Sequence, residues 1–406
     1  MTKQSLSSTL SAAFLVGGTC IGGGMLALPV ATGVGGFWPS SAFMLVCWAM
    51  MTLTGLLYLE ATLWFPEGNH IISMTSRILG PIGKAVAWLL YLFICYASLV
   101  AYAAGGGVQI VEGFKYALGW NIGSDLGVIL FTLLFGSVIY LGHKVVGRVN
   151  SVLFISMCVA YFALVGMGID EVKPHHFEHA HWPSAWLAVP IFLTSFSFQT
   201  MVPSLVPYLN RNIKALRISV VLGTTIALGV YMIWQWLVLG IVPVEGESGL
   251  AESLRRGEPA TLFISQHVVG HYISFIAEYF AFFAIVTSFL GIALGLFDFL
   301  ADGLRIKERS TGNVALAGLI AIPVIFFATR FERVFYLALD YTGGYGDAIL
   351  NGLIPVLLVW IGHYTIGFGK NTDSLLYKKP VLAVIFCFYL FVLLFKTTVD
   401  FGIISL

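Results

Sequence analysis

Gly17-Gly18-Thr19-Cys20-Ile21-Gly22-Gly23-Gly24-Met25-Leu26-Ala27-Leu28-Pro29 is an apolar stretch that cannot remain one straight helix. Glycine weakens a helix, and proline removes a donor and clashes with the preceding turn. The stretch lies inside residues 8–32, which are otherwise apolar and long enough to cross a bilayer, for which about 20 residues are needed. A second run has the same character: Thr194-Ser195-Phe196-Ser197-Phe198-Gln199-Thr200, then Pro203 and Pro207, inside residues 184–208.

The rest of the chain fits a membrane setting. Of its 406 residues 58% are hydrophobic and only 10% charged, and its mean hydropathy is +0.91. A soluble domain carries about 25% charged residues, so lipid must cover most of this surface. The net charge of +1 excludes an electrostatic nucleic-acid binder. The five cysteines, Cys20, Cys47, Cys95, Cys158 and Cys387, lie in apolar segments without close partners and read as small core residues. Lys3 precedes a long apolar run that has no small-residue cleavage site and leads into a second one, so it is expected to be a span and not a signal peptide.

Scanning for apolar runs of that length gives about eleven spans. They lie near 8–32, 38–64, 84–110, 125–142, 149–169, 184–208, 215–243, 271–303, 312–329, 333–364 and 378–402. None alternates with period two, so helices and not strands are expected to cross. The fold class is therefore all-α and polytopic. Lys and Arg concentrate on one set of ends, at Lys3, Arg77, Lys84, Lys144, Arg148, Arg211, Lys214, Arg217, 305–309 and 370–379. The positive-inside rule makes that set cytoplasmic, with the N-terminus inside and the C-terminus outside.

The two interrupted spans are five apart, and an odd offset inverts one relative to the other. Paired broken helices mark a transporter's binding site. A zwitterion leaving water needs protein dipoles, and a broken helix frees amides at one half and carbonyls at the other. Gly22, Gly23 and Gly24 can present amides to a carboxylate. Carbonyls near Val16, Gly17, Thr194 and Ser195 can receive an ammonium. The other reading of these glycines is close helix packing. Phe196, Phe198, Tyr96 and Tyr102 either line a pocket for a ring or belong to core and lipid surface. Thr287 and Ser288 either add oxygens to a small cation site or bond back to the preceding turn. Charges within spans are functional candidates. Glu60 and Asp298 are either coupling-ion groups or gate partners of a basic residue; Asp340 interrupts the tenth span, and Asp347 follows a break at Gly343-Gly344-Tyr345-Gly346. His175, His176, His179 and His181 share one loop, which either binds a metal or is simply polar; no metal site and no cofactor is expected.

Taken together, the runs 18–29, 194–198 with Val202-Pro203-Ser204, and 287–298 (Thr-Ser-Phe-Leu-Gly-Ile-Ala-Leu-Gly-Leu-Phe-Asp) resemble the hydroxy and aromatic amino acid permeases over nearly the whole chain. Within that family the resemblance is to the tyrosine- and tryptophan-specific bacterial permeases. It implies a LeuT-type core, with 8–169 and 184–364 as inverted five-helix repeats and 378–402 as an extra helix of a single domain. It implies a bacterial inner-membrane symporter, not an enzyme, that imports an aromatic amino acid, above all tyrosine, by alternating access with protons. Its partners would be a small amino acid and the bilayer. Substrate contacts would fall on Thr19, Gly22–Gly24 and Ser195–Phe198, with Ser197 and Gln199 among the polar partners of a ring hydroxyl. Two positions depart from the pattern: Gln199 stands where such permeases tend to carry His, and Met157 aligns with their Lys. Without that ammonium, sodium at Thr287 and Ser288 is the alternative coupling ion. The rival readings are a channel or sensor, and an intramembrane protease built on Gly344-Tyr345-Gly346-Asp347, which would need a second Asp beside Asp347.

Overall fold

A computed structural model of the chain describes residues 3–66, 70–140, 143–268, 271–304, 310–331, 333–369 and 375–404. Among the described residues there is no strand, as lipid demands of a chain whose backbone must satisfy itself. Among the described residues nine helices are long and apolar enough to cross a membrane, and the bent pair Leu6–Cys20 and Gly23–Gly33 makes up to ten. The remaining expected span is the apolar helix Ser124–Tyr140. At 17 residues and about 1.5 Å per residue it falls short of a full bilayer core.

In chain order the spans are the bent first one, then Phe37–Leu63, Gly80–Leu118, Ser124–Tyr140, Val145–Glu171, Trp182–Tyr208, Ile213–Ile241, Tyr272–Leu304, Gly312–Arg330, Val334–Ile366 and Lys379–Asp400. The expected boundaries agree within a few residues except in span three, whose helix runs on to Leu118 and ends at Gly119 with φ +69°. The end of the bundle that carries Lys3, Arg211, Lys214 and Arg217 is termed the basic end below.

Span one packs along span seven and, at its break, against span eight, while span six packs against spans two and ten. Span one bends by 47° at Ile21–Gly22. Span six changes at Phe196–Phe198 from the helix Val189–Ser195 to a 3-10 turn, Gln199–Met201, and then the helix Val202–Tyr208. Span ten is not broken at Gly343–Gly346, contrary to expectation. It stays helical but widens into a π-helix over Thr342–Leu353. π turns are rare and gather at functional sites. Here the widened stretch is pressed between neighbours: a Cβ on Gly343 would run into Pro190 of span six, and one on Gly352 into Tyr389 of span eleven.

Two ion clusters tie the bundle at its ends. Near the basic end Arg217 of span seven donates to Glu60 Oε1 of span two (Nε–Oε1 2.9 Å), and the Tyr377 hydroxyl donates to Oε2 at 2.7 Å. At the opposite end the Lys396 ammonium of span eleven meets Asp340 Oδ2 of span ten at 2.5 Å and Asp400 Oδ1 at 2.6 Å. Cys387 is exposed on span eleven and is not the core residue expected, whereas Cys20, Cys47 and Cys95 are buried.

Candidate functional site

A cavity of about 710 Å³ borders both breaks. Its walls are Gly18–Gly22 and Gly24 of span one, Tyr91, Cys95, Ser98 and Tyr102 of span three, Asn150, Ser151 and Phe154 of span five, Thr194, Ser197, Thr200 and Ser204 of span six, Thr287, Ser288 and Gly291 of span eight, and Thr342, Asp347 and Asn351 of span ten. The lining continues along the halves of spans one, five, six and eight that run to the basic end, where Phe14, Leu15, Ser151, Thr200 and Ser204 are exposed. Towards the opposite end the chain is packed solid. Met25, Leu26, Ala27, Leu28 and Val30 are fully buried, and Leu250 from a loop helix fills the place where Gly33 would carry a Cβ.

The break in span one is held by side chains. The Gly23 N–H donates to Ser288 Oγ of span eight at 2.8 Å. Tyr102 lies against the same turn, its hydroxyl within reach of Ser288 and the Gly24 backbone. Glycine is required at 22 and 23 for this close approach and not for torsion. Gly22 is extended (φ −172°), but a Cβ there would fall on Ser288 Oγ, and one on Gly23 would lie 2.5 Å from the Tyr102 ring.

On the other flank, the Tyr231 hydroxyl of span seven donates to Cys20 O at 2.6 Å and Ser195 O at 2.8 Å, the carbonyl ends of one half of each broken span. The Trp234 indole donates to Met25 O at 3.0 Å. Replacing Tyr231 with Phe should strip the donor from two buried carbonyls. The expected cost is about 1–3 kcal/mol of stability, read as a lower unfolding temperature of detergent-purified protein; an unchanged temperature would show that the hydroxyl does not hold the breaks.

The expected site residues divide by where they point. Thr19, Gly22, Gly24, Tyr102, Thr194 and Ser197 line the cavity; Val16, Gly17, Gly23, Tyr96, Ser195, Phe196, Phe198 and Gln199 do not. Val16 and Gly17 pack on span seven, where Gly223 leaves them room, and the Gly17 carbonyl is already bonded to the Ile21 N–H. The Tyr96 hydroxyl turns away to Leu319 O of span nine. Phe196 rests edge-on against Tyr231, and Phe198 fills the space left by Gly55 in span two. Gln199 caps the Phe198 N–H with Oε1 at 2.9 Å and reaches Met51 O at 3.3 Å, so it bolts the second break to span two. Thr287 bonds back to Phe283 O and Ala284 O, while Ser288 turns to the first break. Glu60 belongs to its pair with Arg217 and does not border the cavity, and neither does Asp298.

The cavity residues missing from the sequence reading are chiefly Asn150, Asn351 and Ser98, with Tyr231 and Lys396 beyond its walls. The signal for the two asparagines was their polarity within apolar runs. Asp347 bonds to Ser197 and Asn351, and Asp340 to Lys396, so among the described residues no second carboxylate pairs with Asp347 as a protease would need. The loop histidines do not converge either: His179 bonds to Val34 O, His181 to Ser184, and no cluster of metal-ligating side chains exists among the described residues.

The profile of the tryptophan/tyrosine permease family matches residues 5–396. The chain is 31% identical to a tryptophan-specific transport protein of Haemophilus influenzae, over 91% of its own length and 94% of the relative's. It is 32% identical to tyrosine-specific transport system 1 of the same organism, over 87% and 88%. Among solved structures, that of MhsT in complex with L-phenylalanine superposes with a TM-score of 0.67 at 13% identity, covering 96% of this chain and 97% of the other. This last likeness shows the fold alone, and the fold is the LeuT-type arrangement with broken first and sixth helices.

Proposed function

The chain belongs to the tryptophan/tyrosine permease family, and from that premise we propose that it imports aromatic amino acids, tyrosine first among them, by proton-coupled alternating access across the bacterial inner membrane. The observation that carries the reading is the cavity walled by both broken spans. Its volume of about 710 Å³ falls within the range of about 300–1,000 Å³ typical of small-molecule sites. The relatives are transport proteins, not enzymes.

In this reading the basic end is cytoplasmic, the conformation is inward-facing, and the N-terminus lies inside and the C-terminus outside. Residues 8–169 and 184–364 act as the two repeats that move against each other, with 378–402 outside them. The substrate carboxylate meets the first break at Gly22 and Gly24, which line the cavity, while the Gly23 N–H behind them stays with Ser288. The ammonium faces Thr194 and Ser197, and the ring lies along Tyr102. Protons are favoured over sodium because the resemblance to the aromatic amino acid permeases implies them; the Thr287 hydroxyl, which donates to Phe283 O, keeps its lone pairs and argues for neither ion.

The test is labelled tyrosine uptake into proteoliposomes under an inward proton gradient or an inward sodium gradient, with tryptophan and phenylalanine as competitors. Accumulation under the proton gradient alone, competed best by unlabelled tyrosine, is expected. Accumulation that needs sodium would overturn the coupling, and stronger competition by tryptophan would overturn the preference. Thr287→Ala is expected to leave uptake nearly unchanged in the same assay; a large loss would restore the cation site.

A further inference from the structure

We propose that Asp347 is the group that takes up and releases the coupling proton, with Thr194 accepting its hydrogen while it is protonated. The proposal rests on the proton-coupled reading above. Asp347 borders the cavity and is nevertheless 0% exposed. Its two oxygens meet different surroundings. Oδ1 accepts from the Ser197 hydroxyl at 2.8 Å and from the Asn351 amide at 2.6 Å. Oδ2 is buried and has no hydrogen-bond partner among the described residues.

The side chain next to hand is Thr194, but its hydrogen is donated to Leu339 O at 2.9 Å. While that bond is kept, Thr194 turns lone pairs to Asp347. Lone pairs repel a carboxylate oxygen and accept from a carboxylic acid O–H. The surroundings therefore suit the acid: Oδ1 accepts from Ser197 and Asn351 as a carbonyl oxygen does, and Oδ2 is left without a donor.

Among the described residues no cationic side chain offsets a charge there. Span three presents Cys95 and Tyr102, span eleven presents Tyr389, and all three are ordinarily neutral at pH 7. Span six presents only the hydroxyls of Thr194 and Ser197. On span ten itself Asp340 is paired with Lys396, which also holds Asp400. A buried, unpaired carboxylate is costly and takes a proton instead. The proton departs where the cavity admits water, and in this conformation the cavity leads to the basic end. Ser197 and Asn351 join Asp347 to the second break, so gain or loss of the proton acts on the helix halves that wall the substrate site.

Two measurements test this. In proteoliposomes the wild type should accumulate tyrosine more with an inward proton gradient than without. In Asp347→Asn the two conditions should give the same uptake, and Asp347→Glu should restore the difference. A wild-type response to the gradient in Asp347→Asn would overturn the assignment and leave the transport reading intact. A wild type that transports tyrosine but ignores the gradient would overturn proton coupling and this assignment together. The second measurement needs no variant. Dicyclohexylcarbodiimide adds to protonated carboxyls in membranes, so peptide mapping of the treated wild type should show the adduct on Asp347 and not on Glu60 or Asp340, whose carboxylates face Arg217 and Lys396. An unmodified Asp347 would overturn the proposal.

Discussion

Replacing Gly23 with valine is expected to abolish uptake while leaving the protein inserted in the membrane. The reason lies in the packing of the turn against Tyr102. The first carbon alone would lie 2.5 Å from Tyr102 Cε1 and 2.9 Å from Cδ1. The two methyls of valine make the collision worse, and the ring lies in a buried wall with little room to withdraw. Displacing Tyr102 also pulls at the bond between the Gly23 N–H and Ser288. A shift of about 1 Å in binding groups costs roughly 100-fold in turnover, so uptake normalised to membrane abundance should fall at least that far. Gly24→Ala is the control: its added carbon would sit 3.7 Å from Ser195 Oγ, an ordinary contact, and transport should survive. Normal uptake by Gly23→Val would remove the first break from the site.

Lys396→Met should have the largest effect on stability. The ammonium and the Asp340 carboxylate face each other with side-chain exposures of 8% and 9%, and Tyr341 stacks its ring under the same charge. Removing one partner of a buried pair costs about 3–5 kcal/mol, because the other charge stays buried and alone. Unfolding of the purified protein should shift to lower temperature by a correspondingly large step. Adding Asp340→Asn should recover most of it, since the stranded charge is then gone. If the single variant unfolds like the wild type, this pair does not hold spans ten and eleven together.

Much of the fold was legible because lipid imposes simple rules. Span lengths follow from bilayer thickness, and the breaks at Gly22–Gly24 and at Ser195–Phe198 follow from residues that spoil a helix. The orientation of side chains was not legible. In a soluble helix the apolar stripe tells which face is inside. Here lipid and core are equally apolar, so nothing in sequence distinguished Phe198, turned to Gly55, or Tyr96, turned to Leu319, from Tyr102, which lines the cavity. Pairs between distant spans were hidden for a related reason. Tyr231 reads as one more aromatic in span seven until its two carbonyl partners are brought to it. The π widening of span ten escaped as well, because glycines that mark a break and glycines that admit a neighbour look alike in sequence.

Tyr231 has one hydrogen and two acceptors, and arithmetic of that kind has a mechanical meaning. Neither Cys20 O nor Ser195 O holds the whole bond, since a single proton cannot lie on two lines at once. If one half-helix drifts away, the phenol swings fully to the other and regains most of what it lost. Parting either half from span seven therefore costs less than a whole hydrogen bond, whereas parting both at once costs all of it. The joint behaves as a swivel: compliant to motions that alternate between its two clients, and stiff to any that would release them together.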